Sequence, residues 1–150
     1  MIKIPSYLIH VFLFLFIFVC VGCANKSENN RQSKKYSDRA HAVSVKSQDG
    51  HYIVSLFSNE YPIPLAKIHQ WIVHVETTNG NPVESANVFV FGGMPLHQHG
   101  FPTKPKVRGH VGNGDYLVEG IKFSMMGHWE MRFNIKENDK RDRVVFDINL

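Results

Sequence analysis

The sequence predicts an all-β domain, an antiparallel β-sandwich of immunoglobulin-like type with about seven strands. Three observations support this prediction. β-Branched and aromatic residues are concentrated in short segments, turn-forming residues separate these segments about every ten residues, and no segment has the 3.6-residue period of a helix. The domain is expected over residues 46–150, which is long enough to bury a core of its own.

The strand signals follow one another along this region. Residues 67–77 alternate most clearly, with Ile68 and Ile72 on one side and Trp71 and Val73 on the other. A strong turn signal, Thr-Asn-Gly-Asn-Pro, comes directly after them. The seven predicted strands are residues 51–57, 67–77, 86–91, 107–111, 115–123, 128–135 and 143–148.

The N-terminus has the pattern of an export signal. Residues 1–22 contain one cation, Lys3, followed by an apolar run. The run from Tyr7 to Gly22 covers sixteen residues, fewer than the roughly 20 that a membrane-spanning helix needs. Gly22 and Cys23 then resemble the lipobox of bacterial lipoproteins, in which the cysteine is lipidated and becomes the mature N-terminus. The alternatives are an ordinary cleaved signal and an uncleaved anchor.

Lipidation at Cys23 would have two consequences for this chain. Acyl chains such as palmitate would anchor it to a membrane of the cell envelope, on the periplasmic or another extracytoplasmic face, without a spanning helix. Cys20 would leave with the signal, so the mature protein would have neither a free thiol nor a disulfide. Any metal site would then use histidine, methionine, carboxylates or backbone oxygens.

A polar tether is expected between the lipidated cysteine and the domain, over residues 23–45, because this composition cannot bury enough apolar surface to fold. Residues 24–41 contain five basic and two acidic side chains, and Lys3 supplies the remaining unit of the +4 net charge. Residues 42–150 therefore balance at zero. The basic character is no argument for nucleic-acid binding, and the membrane is the expected partner of this segment.

The densest group of potential ligand atoms is in residues 92–100, which read Gly-Gly-Met-Pro-Leu-His-Gln-His-Gly. The prolines and glycines predict a shaped loop or a short extended piece here, not a helix. In extended backbone, His97 and His99 would project from the same side, with Met94 nearby. Imidazoles and a thioether together suit a late first-row metal, especially copper. The alternative is that the histidines only fix a loop by hydrogen bonding to backbone carbonyls.

A second cluster, residues 124–129, adds two thioethers and an imidazole just before a predicted strand. If the sandwich brings the two loops together, they would form a mixed site for copper, the one cofactor that the sequence leads us to expect. The alternatives are that Met125 or Met126 plugs the end of the core and that His128 is simply exposed. The candidate metal ligands are Met94, His97, His99, Met126 and His128.

The chain resembles the YtkA-like and FixH-like domains of bacterial envelope proteins in these two segments and in the residues around them. The resemblance covers roughly residues 60–136 and includes Met-Pro-x-His-x-His-Gly and a later Met-x-Gly-x-Trp-Glu. It implies a small β-sandwich at the cell envelope, and some relatives are tied to copper handling or to assembly of copper-containing respiratory oxidases. The family motif falls on Met94, His97, His99, Met126 and Trp129. FixH-like proteins carry a spanning helix where this chain has a lipidation signal.

Two functional hypotheses remain for the domain. In the first, a lipid-anchored protein binds copper through the two loops and buffers or delivers it. In the second, the domain is a metal-free interaction module that engages another envelope protein, as an accessory to an envelope complex. We do not expect an enzyme, since the chain has no nucleophile elbow and no phosphate-binding loop.

Overall fold

The structure, a computed structural model, describes residues 43–150. The signal segment, Cys23 and the tether up to residue 42 lie outside the described residues. Among the residues described, no helix has the length and apolar character needed to cross a membrane. The strands are β1 (Val43–Lys46), β2 (Tyr52–Ser58), β3 (His69–Thr77), β4 (Asn87–Met94), β5 (His99–Gly100), β6 (Lys106–Gly112), β7 (Asp115–Ile121), β8 (His128–Glu137) and β9 (Lys140–Asn149).

These strands form two antiparallel sheets. The five-stranded sheet has the order β1-β2-β3-β7-β6, and the four-stranded sheet has the order β5-β4-β8-β9. The predicted all-β antiparallel sandwich is therefore confirmed. All seven predicted strands are present, as β2, β3, β4 and β6 to β9. Alternation along each strand decides which side chains face the other sheet.

The structure adds two strands that the sequence did not indicate. β1 contains residues 43–45, which were assigned to the tether, so that boundary was wrong. Val43 and Val45 are paired with Leu56 and Val54 of β2, and this pairing extends the edge of the five-stranded sheet. β5 is only two residues long and pairs with the end of β4.

The core lies between the inner faces of the two sheets. In β9, for example, Val144, Phe146 and Ile148 are buried while the residues between them are exposed. Burial of each such side chain contributes roughly 1.5–3 kcal/mol. The largest fully buried side chains are Trp129, Tyr52, Tyr116, Phe123, Phe133, Phe146, Leu56, Ile72, Met94, Ile121, Met131 and Ile135.

One buried carboxylate links the two sheets at the end of the sandwich opposite the candidate metal loops. Asp142 is in phase with the buried positions of β9, and its oxygens accept four hydrogen bonds. The donors are the hydroxyl of Ser47 at 2.6 Å and the backbone N–H groups of Asp49 at 2.9 Å, His51 at 3.1 Å and Arg143 at 2.7 Å. Burial alone would raise the pKa of Asp142, but these hydrogen bonds lower it below its usual value.

We predict that Asp142→Ala lowers the free energy of unfolding by about 3 kcal/mol, because it leaves a hydroxyl and three N–H groups without their acceptor. Urea denaturation of the purified chain measures the change. Asp139→Ala, in the exposed turn between β8 and β9, is the matched control and should cost less than about 0.5 kcal/mol. Equal effects of the two substitutions would contradict a structural role for the Asp142 carboxylate.

Candidate metal site at the Met/His end

The two candidate loops lie at the same end of the sandwich, where β4 ends and β8 begins. The expectation of a loop or short extended piece without any helix was wrong for residues 95–97. Pro95 starts a single turn of 3-10 helix, Pro95–His97, and Gln98 closes it in the left-handed conformation with φ of 54°. The N–H of Gln98 donates to the carbonyl of Pro95 at 3.1 Å. A proline fixes φ near the helical value, which favours this turn over an extended segment.

The turn still brings the two imidazoles together. The ring centres of His97 and His99 are 6.0 Å apart, and both residues are exposed. Two imidazoles bound to one metal ion can have ring centres up to about 6.3 Å apart, given metal–nitrogen bonds of about 2.0 Å. The spacing therefore lies near the upper limit for a shared ion, as in a nearly linear arrangement of the two nitrogens.

The orientation of His99 is set by its own backbone. Its Nδ1–H donates to the carbonyl of Gly100 at 2.9 Å, because a carbonyl can only accept. This hydrogen bond leaves Nε2 as the ring nitrogen with a lone pair, and such bonds commonly orient metal-binding histidines. The alternative considered for these histidines, a bond to a backbone carbonyl, therefore occurs at His99 and is compatible with binding a metal through Nε2.

Met94 occupies the core instead of the surface. Only 2% of the residue is exposed, and its methyl group lies 2.9 Å from the position that a Cβ on Gly127 would take. The thioether thus packs directly beneath the second loop. Met125 and Met126 are exposed, the latter by 64%. The residue that plugs this end of the core is consequently Met94, not Met125 or Met126.

A buried indole joins the two loops. The ring of Trp129 contacts His99 of the first loop edge-on, with ring centres 5.6 Å apart. Its Nε1–H donates to the carbonyl of Met125 in the second loop at 3.1 Å. Phe101 stacks on the same indole at 5.7 Å, and Phe123 meets it edge-on at 5.2 Å. The ring of His99 in the first loop and the backbone of Met125 in the second loop therefore both contact one aromatic cluster.

His128 is directed elsewhere. It neighbours Trp129 on β8, and neighbouring side chains of a strand point to opposite faces. The Nε2 of His128 lies 2.8 Å from a carboxylate oxygen of Asp147, on the outer face of the four-stranded sheet. The structure therefore brings His97 and His99 together, with His99 against Trp129, and leaves His128 paired with a carboxylate.

A known protein family matches most of the domain. The model of the YtkA-like family matches residues 46–134, which include both loops, strands β2 to β7 in full and most of β8. The chain belongs to the YtkA-like family. No curated protein and no solved structure matches the chain. The YtkA-like family is not a known enzyme family.

The YtkA-like domain contains a second cluster of possible ligand atoms, which the sequence analysis did not identify. Ligand atoms of Asp49, His51 and Asp142 lie within 4.8 Å of one another. The oxygens of Asp142 already accept four hydrogen bonds, so a cation there would have to displace donors that stabilise the fold. The sequence could have indicated that Asp142 is buried, because it lies two residues before Val144 and so shares the inward-facing positions of Val144, Phe146 and Ile148.

Two further histidines of the YtkA-like domain have shifted pKa values. His69 is buried against Phe123, and its desolvation lowers its pKa. His74 lies between two carboxylates on the outer face of the five-stranded sheet. Its Nδ1–H donates to Asp115 at 2.7 Å, and its Nε2 is 3.7 Å from Glu76. The hydrogen bond to Asp115 raises the pKa of His74 although burial opposes this, so the ring favours its protonated form.

We predict that His74 stabilises the YtkA-like domain more at acidic than at alkaline pH. A raised folded-state pKa means that the stabilisation is fully present below the unfolded value of about 6.5 and is lost as the pH rises through the folded value. The free energy of unfolding of the wild type and of His74→Gln should therefore differ more at pH 6 than at pH 9. A difference that does not change with pH would exclude this ion pair as its source.

Proposed function

We propose that the protein is an envelope lipoprotein whose YtkA-like domain binds a copper ion at the Met/His end and buffers or delivers it. The observation that carries this proposal is the placement of two exposed imidazoles 6.0 Å apart, one of which, His99, packs against the buried indole of Trp129. Preorganised donors bind metals better than flexible ones, because little entropy is lost on binding.

The geometry ranks the candidate ligands. His97 and His99 supply two nitrogen donors, and the exposed thioether of Met126 belongs to the adjoining loop. Imidazole and thioether suit both oxidation states of copper better than they suit zinc or magnesium. Met94 is not a ligand candidate on this geometry, since its side chain is buried and packs in the core beneath the site. His128 would join only by leaving Asp147.

Exposure of the donors favours transfer over permanent storage. His97 and His99 are exposed, and 64% of Met126 is accessible. A partner's ligands could therefore replace these donors one at a time, without any opening of the fold. Sites that hold a metal permanently are instead closed by a complete ligand set.

The second candidate function is a metal-free interaction module, and one observation favours it. Leu96, which lies between Pro95 and His97 in the turn, is 83% exposed, and Met126 lies at the same end of the sandwich. Exposed leucine and methionine side chains are well suited to contact with another protein. The loops would then be a docking surface on which the imidazoles contribute hydrogen bonds.

We predict that the full chain, with Cys20 and Cys23 alkylated, binds one equivalent of Cu²⁺ and that binding quenches the fluorescence of Trp129. The ring of His99 lies 5.6 Å from this indole, so a paramagnetic ion on His99 lies close enough to quench it. The double variant His97→Ala/His99→Ala should lose more than about 100-fold in affinity. Titration followed by fluorescence, with calorimetry for the stoichiometry, measures both quantities.

Two controls make this titration decisive. His51→Ala/His110→Ala removes the same number of exposed imidazoles outside the Met/His end and should leave the affinity unchanged. Met94→Leu conserves volume, so it should cost less than about 1.5 kcal/mol of stability and leave copper binding intact. If the His97→Ala/His99→Ala variant binds as tightly as the wild type, the metal site is excluded and the interaction module is favoured.

We predict that Cys23→Ser abolishes incorporation of radiolabelled palmitate when the protein is expressed in a bacterium that processes lipoproteins. Cys20→Ser should leave the labelling intact, because the residue after the small Gly22 is the one modified in the lipobox pattern. Labelling that persists in Cys23→Ser would contradict the lipid anchor. This result would not affect the copper titration, which depends only on the domain.

A further inference from the structure

We propose that the outer face of the four-stranded sheet docks on an anionic membrane surface. Strand pairing arranges this face in three cross-strand rows, one residue each from β4, β8 and β9. None of these nine positions carries a carboxylate. The rows are Asn87–Lys136–Arg141, Phe89–Asn134–Arg143 and Phe91–Arg132–Val145.

The apolar members of these rows are unusually exposed. Phe89 and Phe91 are 54% and 51% exposed, and Val145 is exposed beside them. Side chains of this kind normally face the core, and exposed apolar patches mark surfaces of contact. Aromatic side chains are also enriched at the interface between membrane and water, where the ring is buried and its rim remains near the headgroups.

One cation of the face, Arg132, pairs with Glu130 at 3.9 Å, but the others have no carboxylate partner among the described residues. Lys136 and Arg141 are directly opposite each other across β8 and β9, an arrangement of like charges that destabilises a sheet. Within residues 43–150, neither of them forms an ion pair. Arg143 is held towards the same region by a 3.1 Å hydrogen bond from its Nε to Asn134. A bound anion would remove the repulsion between these side chains.

A groove gives an anion room beside these cations. Its volume is about 700 Å³, and its lining includes Phe89, Lys136, Arg141 and Arg143. Two carboxylates, Asp49 of the β1–β2 turn and Asp142, also line it, and the oxygens of Asp142 are already engaged by four hydrogen bonds. The acidic row that follows on the sheet, Gly93–Glu130–Asp147, marks the border of the basic face.

A phospholipid surface fits this combination better than a small soluble anion does. A free phosphate would need only the cations of the groove, whereas phospholipid headgroups would contact the cations while Phe89 and Phe91 enter the interface. The chain outside the structure has the same preference, because residues 24–41 carry five basic and two acidic side chains. With this face on the membrane, the strands would lie parallel to the membrane surface. The His97–His99 pair, at one end of the strands, would then point along the membrane plane.

Brominated lipids test this docking in proteoliposomes that contain the full chain. In the Phe91→Trp variant, the new indole should be quenched by bromines on the acyl chains in vesicles containing phosphatidylglycerol, and much less in phosphatidylcholine vesicles. Phe57→Trp is the matched control on the other sheet and should not be quenched in either. Trp71 and Trp129 are buried, so their fluorescence contributes the same background in all samples.

Charge variants make the test quantitative. Each basic residue near an anionic surface strengthens binding roughly fivefold, so Arg141→Gln/Arg143→Gln in the Phe91→Trp background should weaken docking about 25-fold. Lys46→Gln/Lys67→Gln, which removes two exposed cations elsewhere, should leave the quenching unchanged. Equal quenching in neutral and anionic vesicles, or none in either, would overturn the proposal. Stabilisation by inorganic phosphate without quenching would identify a small-anion site instead and overturn it equally.

Discussion

The buried indole of Trp129 is the contact on which the Met/His end of the molecule depends. Two loops from different parts of the chain meet there, one through the ring of His99 and the other through the carbonyl of Met125. Phe101 and Phe123 enclose the indole from two further directions. Loops are ordinarily the mobile parts of a domain, but loops that rest on a packed cluster keep the spacing of their side chains.

Most of the fold could be predicted because period-two alternation is a strong signal wherever one face of a strand is buried. The two strands that escaped prediction lack that signal. β1 has four residues, of which Val43 and Val45 are too few to stand out against the polar segment before them. β5 has two residues and exists only because the turn after β4 folds the chain back beside Met94. Strands of this kind are defined by their partners.

The sequence also indicated which residue types lie at the candidate site, but not which way they point. Met94 points inward, like Val88 and Val90 at the alternate positions before it on β4, and is therefore buried in the core. The prediction that it binds a metal considered only its thioether and not this alternation. The orientation of His128 follows from its place beside Trp129, because neighbouring side chains of a strand face opposite sides and the indole faces the core. The residue types indicate which side chains could bind a metal, whereas the alternation of side chains along each strand determines which of them are at the surface.

The separation of buried support from exposed donors bears on how this domain can change over evolution. Gly127 is constrained by its φ of 125°, which residues with a side chain rarely adopt, and Met94 and Trp129 are constrained by their burial in the core. The exposed residues of the turn that have no ring contact with Trp129 contribute little to folding, so Leu96, His97 and Gln98 are free to vary without unfolding the sandwich. One scaffold could therefore acquire, lose or exchange its surface chemistry while the residues beneath it stay fixed.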